Sequence, residues 1–203
     1  MIYLFDEYET LSAGVIKNLF ELMPAERQMR ALRYLRPRDR ENCVLAYALL
    51  KYGLMEEYGI SASGFDRNGN GKPFLLYHNI FFNISHCDSG VVCAVSDSET
   101  GIDIETARNF DMDTAKRVCT DNELSFLLKS EDPEKDFAGI WTIKESFIKQ
   151  SGAGLSYPVP LNLLETRKLI LQASCPVICK WDELRRYYIC CFGENEIIKV
   201  AVR

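Results

Sequence analysis

Along the 203-residue chain, apolar positions follow two rhythms, a short alternating one that predicts strands and a three-to-four-residue one that predicts helices. "IYLFDE" near the N-terminus reads as a short strand. Helical spacing follows in "LSAGVIKNLFELM" and again from about Arg38 to Tyr58, where Val44, Leu45, Ala48, Leu49 and Met55 recur at near-helical intervals. "SASGFDRNGNGKPF" is rich in turn residues, with Asn68–Gly69 and Asn70–Gly71 both suited to positive φ. The runs "NIFFNIS" and "GVVCAVS", separated by "HCDS", predict a β-hairpin. In "GIDIE" the period of two sends Ile102 and Ile104 to one face of a strand, and Asp103 and Glu105 to the other. From about Met112 to Gln150 the spacing is mainly helical, interrupted near "EDPE", where Pro133 suits the start of the last helix. Strand-like runs return in "KLILQAS", "PVICKW", "RRYYICCF" and "EIIKVAV". The order strand, helices, strands thus occurs twice. It predicts an α+β fold of two similar halves, 1–100 and 101–203, joined near residues 97–101.

The last predicted helix carries an oddity. In "IWTIKESFIKQSG", residues Ile140, Trp141, Ile143, Phe147 and Ile148 form one apolar stripe at about 100° per residue, and Lys144 falls in its middle. An ammonium in an apolar face either snorkels outward or meets an anion. Glu145 and Lys149, four residues apart with the acid first, form an ordinary surface ion pair or serve a site. Asp103 and Glu105, at i and i+2 on a strand, lie about 6.5–7 Å apart on one face. That places two hard oxygen donors where a cation such as Mg²⁺ could meet them, or merely gives a solvated strand face. "NGNGKP" is either a plain hairpin turn or a glycine-rich loop offering amides and Lys72 to a phosphate. "NISH" sets Ser85 and His86 at a strand end.

Composition narrows the classes. An apolar fraction of 47% and a charged fraction of 26% are those of a globular domain, and a net charge of −5 argues against a nucleic-acid binder. No apolar run approaches the roughly 18 residues of a membrane span, and "MIYLFDEYET" lacks a basic signal-like start, so a cytoplasmic protein is expected. Eight cysteines include no C-x-x-C pair. Cys175 and Cys179 are separated by three residues, and Cys190–Cys191 are vicinal, which reads as free thiols acting as small hydrophobes. The cations Arg27, Arg30, Arg33, Arg36, Arg38 and Arg40 gather around the predicted helix starts in the first quarter of the chain.

Four motifs stand in fixed order: "GKP" (71–73), "FNISH" (82–86), "GIDIE" (101–105) and "WTIKESFIKQSG" (141–152), with "PAERQMRALRYLRPRDR" before them and "GLSYPV" (154–159) after. In this combination the chain resembles the 4′-phosphopantetheinyl transferases of the surfactin-synthetase-activating type. The resemblance implies two α+β halves related by a pseudo-twofold, with the active site between them. It implies transfer of the phosphopantetheine arm of coenzyme A to a serine of an apo acyl or peptidyl carrier protein, with release of 3′,5′-ADP. It makes Asp103, Glu105 and Glu145 the ligands of Mg²⁺ or Mn²⁺, and Glu145 the general base. Lys149 becomes the partner of the departing phosphate. Lys72, Pro73, Ser85, His86, Arg40 and Lys149 become coenzyme A contacts, and Lys144 a partner of phosphate or of an acidic residue. A carrier would dock on roughly Phe110 to Ser130, where Met112, Lys116, Arg117 and Val118 offer a mixed patch; the same residues also fit a helix packing inward. A monomer, with neither nucleic acid nor membrane as partner, is the expected state. The chain departs from the family at Glu26 and Met29, where lysines are common, and at Asn42, where a basic residue is common. Arg27, Arg30 or Arg40 would then serve the 3′-phosphate. Two other readings compete: a different Mg²⁺-dependent phosphoryl-transfer enzyme or nucleotide diphosphate hydrolase, and a binding module without catalysis.

Overall fold

The structure is a computed structural model that describes residues 1–61, 64–108, 110–152, 176–194 and 196–201. Its first sheet is ordered β4 (Phe81–His86), β5 (Val91–Ser96), β1 (Ile2–Phe5), β9 (Ile197–Lys199). A second sheet is ordered β6 (Gly101–Thr106), β8 (Tyr187–Phe192), β7 (Val177–Asp182). The helices before β6 are α1 (Ala13–Glu21), α2 (Ala25–Leu32) and α3 (Pro37–Tyr58); those after it are α4 (Met112–Val118), α5 (Asp121–Leu127) and α6 (Pro133–Ser151). A small hairpin of β2 (Phe65–Arg67) and β3 (Pro73–Leu75) stands apart from both sheets. "KLILQAS" and "GLSYPV" lie outside the described residues.

The period of two sorts the strand residues between cores. On β1, Tyr3 and Phe5 pack with Leu45, Leu49, Leu50 and Leu54 of α3, while Ile2 and Leu4 point the other way. There they meet Val92 and Ala94 of β5, and Ile102, Ile104, Ile189 and Cys191 of the second sheet. Beyond that sheet, Cys190 and Phe192 pack under Ile143 and Phe147 of α6. The layers are therefore α3, first sheet, second sheet, α6. Ile102 and Ile104 are fully buried in the shared layer, and Asp103 faces the α6 side, as the "GIDIE" alternation predicts.

Strand pairing repeats between the two parts. β1 lies beside the second strand of the β4–β5 hairpin, and β6 lies beside the second strand of the β7–β8 hairpin, both antiparallel. Each part also lays one long helix, α3 or α6, on its sheet. The last strand breaks the repetition. "EIIKVAV" does supply a strand, but β9 crosses back to the first sheet and runs parallel to β1, pairing Ile2 with Ile197. Asp6 secures this crossing. Its buried carboxylate accepts from the Tyr187 hydroxyl at 2.7 Å and from Lys199 Nζ at 2.8 Å.

Other local differences have plain causes. The predicted first helix ends at Glu21, with Ser12 as its N-cap, and α2 begins separately after Pro24. Met55 is 48% exposed although its spacing fits the α3 stripe, because that stripe drifts past the sheet's edge. The turn-rich segment holds the small hairpin, whose three-residue strands are too short for periodicity to reveal. Seven cysteines among the described residues are free, as the spacing predicts.

Gly101 opens β6 where "GIDIE" begins. A β-carbon there would stand 2.1 Å from both Gln150 N and Ser146 O of α6, so only glycine lets strand and helix approach this closely. Gly101→Ala is expected to lose about 3 kcal/mol or more, because the obstacle is backbone and cannot swing aside. Urea denaturation measures this, and an unchanged midpoint would contradict the close approach.

Candidate active site

Helix α6 begins where its sequence prescribes. Pro133 occupies the first turn, the Asp132 side chain accepts from Lys135 N at 3.1 Å, and Gly152 closes the helix with φ +64. Its buried face comprises Ala138, Gly139, Ile140, Thr142, Ile143, Lys144, Ser146 and Ile148. The close contact at Gly101 places the last turns of this helix over β6. Across that contact Lys149 Nζ meets Asp103 Oδ1 at 2.5 Å. Ser85 Oγ donates to the same carboxylate oxygen at 2.7 Å and accepts from Lys149 Nζ at 3.0 Å. The end of β4, the middle of β6 and the end of α6 thus converge on one oxygen. Lys149 takes Asp103 as its ion-pair partner in place of the Glu145 that intrahelical spacing offers.

The second oxygen of that carboxylate is different. Asp103 Oδ2 is buried and has no hydrogen-bond partner among the described residues. A desolvated carboxylate oxygen left alone costs free energy, so its position favours a cation arriving beside it. Glu105 and Glu145 stand close enough for Asp103's charge to raise both. Burial, then Asp103, pushes Glu105 up to about 7, against the pull of Lys149, Arg108 and the Trp141 indole. Burial chiefly raises Glu145, with Lys149 opposing. These oxygens are the donors a hard divalent cation takes. Among the described residues no three acidic, histidine or cysteine side chains already stand close enough to hold an ion. The ammonium of Lys149 stands at Asp103 Oδ1. The donor chemistry fits, with Lys149 as the resident counter-ion.

Lys144 meets an anion, as its place in the apolar stripe requires. Its ammonium lies 2.6 Å from Glu123 Oε2 and donates to Val118 O at 2.7 Å, and the two charged side chains are 6% and 1% exposed. The same Glu123 oxygen accepts from Thr120 N at 2.7 Å in a capping box that starts α5. Lys144 therefore locks α5 and the end of α4 onto α6. The spacing Thr120-x-x-Glu123 carries the signal for that cap, although periodicity alone does not assign Glu123 as the partner.

The glycine-rich turn reaches α6 from the other side. Asn68 Oδ1 accepts from Asn70 N and Lys72 N, and Gly71 takes φ +85. Lys72 Nζ then donates to Gln150 O at 2.8 Å and Thr100 O at 3.1 Å, while Asn70 Nδ2 donates to Gly152 O at 2.8 Å. These donors satisfy the last carbonyls of α6, and Lys72 favours the negative end of its dipole. A cavity of about 300 Å³ opens beside this staple, lined by Lys72, Pro73, Phe74, Phe81 and Glu99 among others. A second cavity, about 340 Å³, is walled by Phe137 and Trp141 and reaches Glu105 and Arg108.

The N-terminal cations divide. Arg40 is exposed and donates to Tyr34 O at 3.2 Å. Arg27 and Arg30 line a cavity of about 320 Å³ with Arg67 and Pro73, and the Arg27 guanidinium lies 4.7 Å from the Phe65 ring centroid. Arg30 is near enough to His86 to help hold its imidazole below the ordinary value, after burial and Lys149. Asn42 is buried, accepting from the Tyr8 hydroxyl and donating to Cys87 O at 3.0 Å, so no solvated cation could take its place. On the 110–130 surface, Lys116 and Arg117 are exposed, Met112 and Val118 are half-buried, and Phe126 and Leu128 are 50% and 68% exposed.

A family model described as the 4′-phosphopantetheinyl transferase superfamily matches residues 99–199. A 4′-phosphopantetheinyl transferase of Bacillus subtilis is 35% identical over 154 residues, covering 73% of this chain and 69% of its own length. The 4′-phosphopantetheinyl transferase gsp of Aneurinibacillus migulanus is 36% identical over 138 residues, 66% of this chain and 58% of its own. The 4′-phosphopantetheinyl transferase Sfp of Bacillus subtilis (strain 168) is 34% identical over 154 residues, 73% of this chain and 69% of its own. Among the described residues no helix is long and apolar enough to cross a membrane.

Two outcomes follow from the buried charges. Lys144→Met takes the ammonium away from the buried Glu123 carboxylate and is expected to cost about 3–5 kcal/mol, most of it regained in Lys144→Met/Glu123→Gln, where the capping oxygen survives. Urea melts of both variants check this, and equal losses in the two would refute it. The second outcome concerns protons. Since folding raises the affinity of Glu105 for its proton, this group's contribution to stability is lost as pH rises from the ordinary 4.5 through about 7. A divalent cation would compete with that proton. Added Mg²⁺ should therefore raise the melting temperature more at about pH 8 than at about pH 6, and far less in Glu105→Gln. Equal shifts at both pH values would sink the assignment of Glu105.

Proposed function

The chain belongs to the 4′-phosphopantetheinyl transferase superfamily and is an enzyme of that kind, and on this premise we propose that it moves the phosphopantetheine arm of coenzyme A onto a serine of an apo acyl or peptidyl carrier protein, releasing 3′,5′-ADP. The observation that carries the reading is the Asp103 carboxylate. One oxygen is shared by Lys149 and Ser85, and the other is buried without a partner beside Glu105 and Glu145. Asp103, Glu105 and Glu145 would hold Mg²⁺, or Mn²⁺ in its place. When bound, that ion offsets the negative charge of the pyrophosphate during attack on phosphorus.

The remaining work falls to side chains of this chain. Glu145, whose proton affinity burial raises, accepts the proton of the incoming serine hydroxyl, directly or through water. Lys149, released from Asp103 as phosphate oxygens arrive, binds and neutralises the departing phosphate. Lys72 and Pro73 line the cavity that receives part of coenzyme A. Ser85 and His86 face its phosphates from the end of β4. Arg30, whose charge already acts on His86, and Arg27 supply the cations for the 3′-phosphate that Glu26 and Met29 do not. Arg40 belongs to this group as an outer cation. The aromatic cavity at Trp141 and Phe137 opens at Glu105, where the arm and the serine must meet. The carrier's acidic helix docks on 110–130, where the cations Lys116, Arg117 and Lys129 and the apolar Phe126 and Leu128 are all exposed. The two halves, 1–100 and 101–203, form one site between them under a pseudo-twofold. A cytoplasmic monomer, with no nucleic-acid or membrane partner, completes the reading.

Mass spectrometry of apo carrier proteins incubated with the chain, coenzyme A and Mg²⁺ tests this directly. The expected result is one added phosphopantetheine and stoichiometric 3′,5′-ADP. Glu145→Gln and Asp103→Ala should each lower loading by on the order of a hundredfold or more. Cleavage of coenzyme A with the carrier unmodified would favour a hydrolase, and binding without turnover a non-catalytic module. Either would overturn the proposal.

A further inference from the structure

The second sheet carries a feature that transfer chemistry does not use. Cys179 of β7 and Cys190 of β8 are direct antiparallel partners. Directly opposed residues hold their Cα atoms about 4.5–5.5 Å apart with side chains on one face, inside the roughly 4.4–6.8 Å span of a disulfide. No other two cysteines among the described residues are strand partners. Cys179 is exposed and Cys190 is fully buried, so one thiol meets solutes and the other waits beneath it. Cys190 also pairs with Asp103 across β6–β8. Asp103, Cys190 and Cys179 therefore form one row across the sheet, leading from the candidate active site to solvent. Cys190 packs under Ile143, two residues before Glu145.

We propose that Cys179 and Cys190 are a reversible oxidative modification site, closed by exchange with a low-molecular-weight disulfide, and that closure slows the enzyme. The thiolate of Cys179 attacks one sulfur of the external disulfide, and the first small thiolate departs. The Cys190 sulfur then attacks the Cys179 sulfur of the mixed disulfide. Its proton passes to the second departing thiolate. Two protein thiols are oxidised and one external disulfide is reduced to two thiols. Bond formation draws the Cys190 sulfur to about 2.05 Å from its partner on β7, away from its place between Ile143 and Asp103. A close-packed contact cannot absorb such a shift without moving its neighbours, so α6 and the Asp103 row move with it. The slowing of activity rests on the transferase reading; the disulfide itself does not.

The test uses the full reduced chain and oxidised glutathione. Peptide mapping is expected to find Cys179 joined to Cys190. Carrier loading should fall on the order of tenfold and return with dithiothreitol. Cys179→Ser, an exposed change, should load carriers normally and resist glutathione. Mixed disulfides alone, or a bond between any other cysteines, would overturn the site. A mapped Cys179–Cys190 bond with undiminished loading would overturn its effect on the enzyme. Failure of the reduced chain to load any carrier would instead count against the transferase reading, with the mapped peptides still deciding the thiol pair.

Discussion

The approach of β6 to the last turns of α6 is the constraint on which the rest of the molecule depends. Gly101 is where a strand backbone and a helix backbone meet with no room for a methyl group. Two residues along the strand, that proximity lets a helical ammonium reach a strand carboxylate at 2.5 Å. The surrounding structure fixes this approach from several sides. Lys72 and Asn70 tie the helix's final carbonyls to the small hairpin, Glu123 holds Lys144 one turn earlier, and Cys190 with Phe192 fills the space beneath Ile143. Charges are placed where packing already dictates the geometry, so little ordering remains when a ligand arrives.

Much of this was legible in the sequence, because local rules govern those parts. The alternation of "GIDIE" predicts which side chains are core and which are free for chemistry, and the shared isoleucine layer agrees. Pro133 marks the helix start, and the cation in an apolar stripe predicts its own buried anion. What stayed hidden depends on contacts distant in the chain. Nothing local says that Ile197 will pair in parallel with Ile2 across almost the whole sequence. Nor does helical spacing reveal that Lys149 will prefer a strand carboxylate to the glutamate one turn away. That choice depends on burial, which raises the worth of a short ion pair in a partly desolvated place above that of an exposed intrahelical one.

The N-terminal cations show the limit from the other direction. Six arginines within fourteen positions look equivalent on composition. Folding separates them: Arg40 is spent on a backbone carbonyl at the surface, while Arg27 and Arg30 line a cavity with Arg67. Burial and the nearby Arg30 and Arg67 lower the proton affinity of Arg27, a strain that an anion in that cavity would relieve.

The same logic explains why a lysine can stand at Asp103. A buried carboxylate whose charge raises the proton affinity of Glu105 and Glu145 is stabilised by a positive charge at its oxygens. Lys149 supplies that charge from α6, and Ser85 completes the solvation of that oxygen. In the proposed reaction, a cation held by the carboxylates would leave the ammonium to the phosphate. On that reading one side chain would serve both arrangements, because the total charge of the cleft, and not any single pair, is what must stay balanced. Asp103 Oδ2, buried and without a hydrogen-bond partner among the described residues, is the one oxygen of that carboxylate which this ammonium and hydroxyl do not reach.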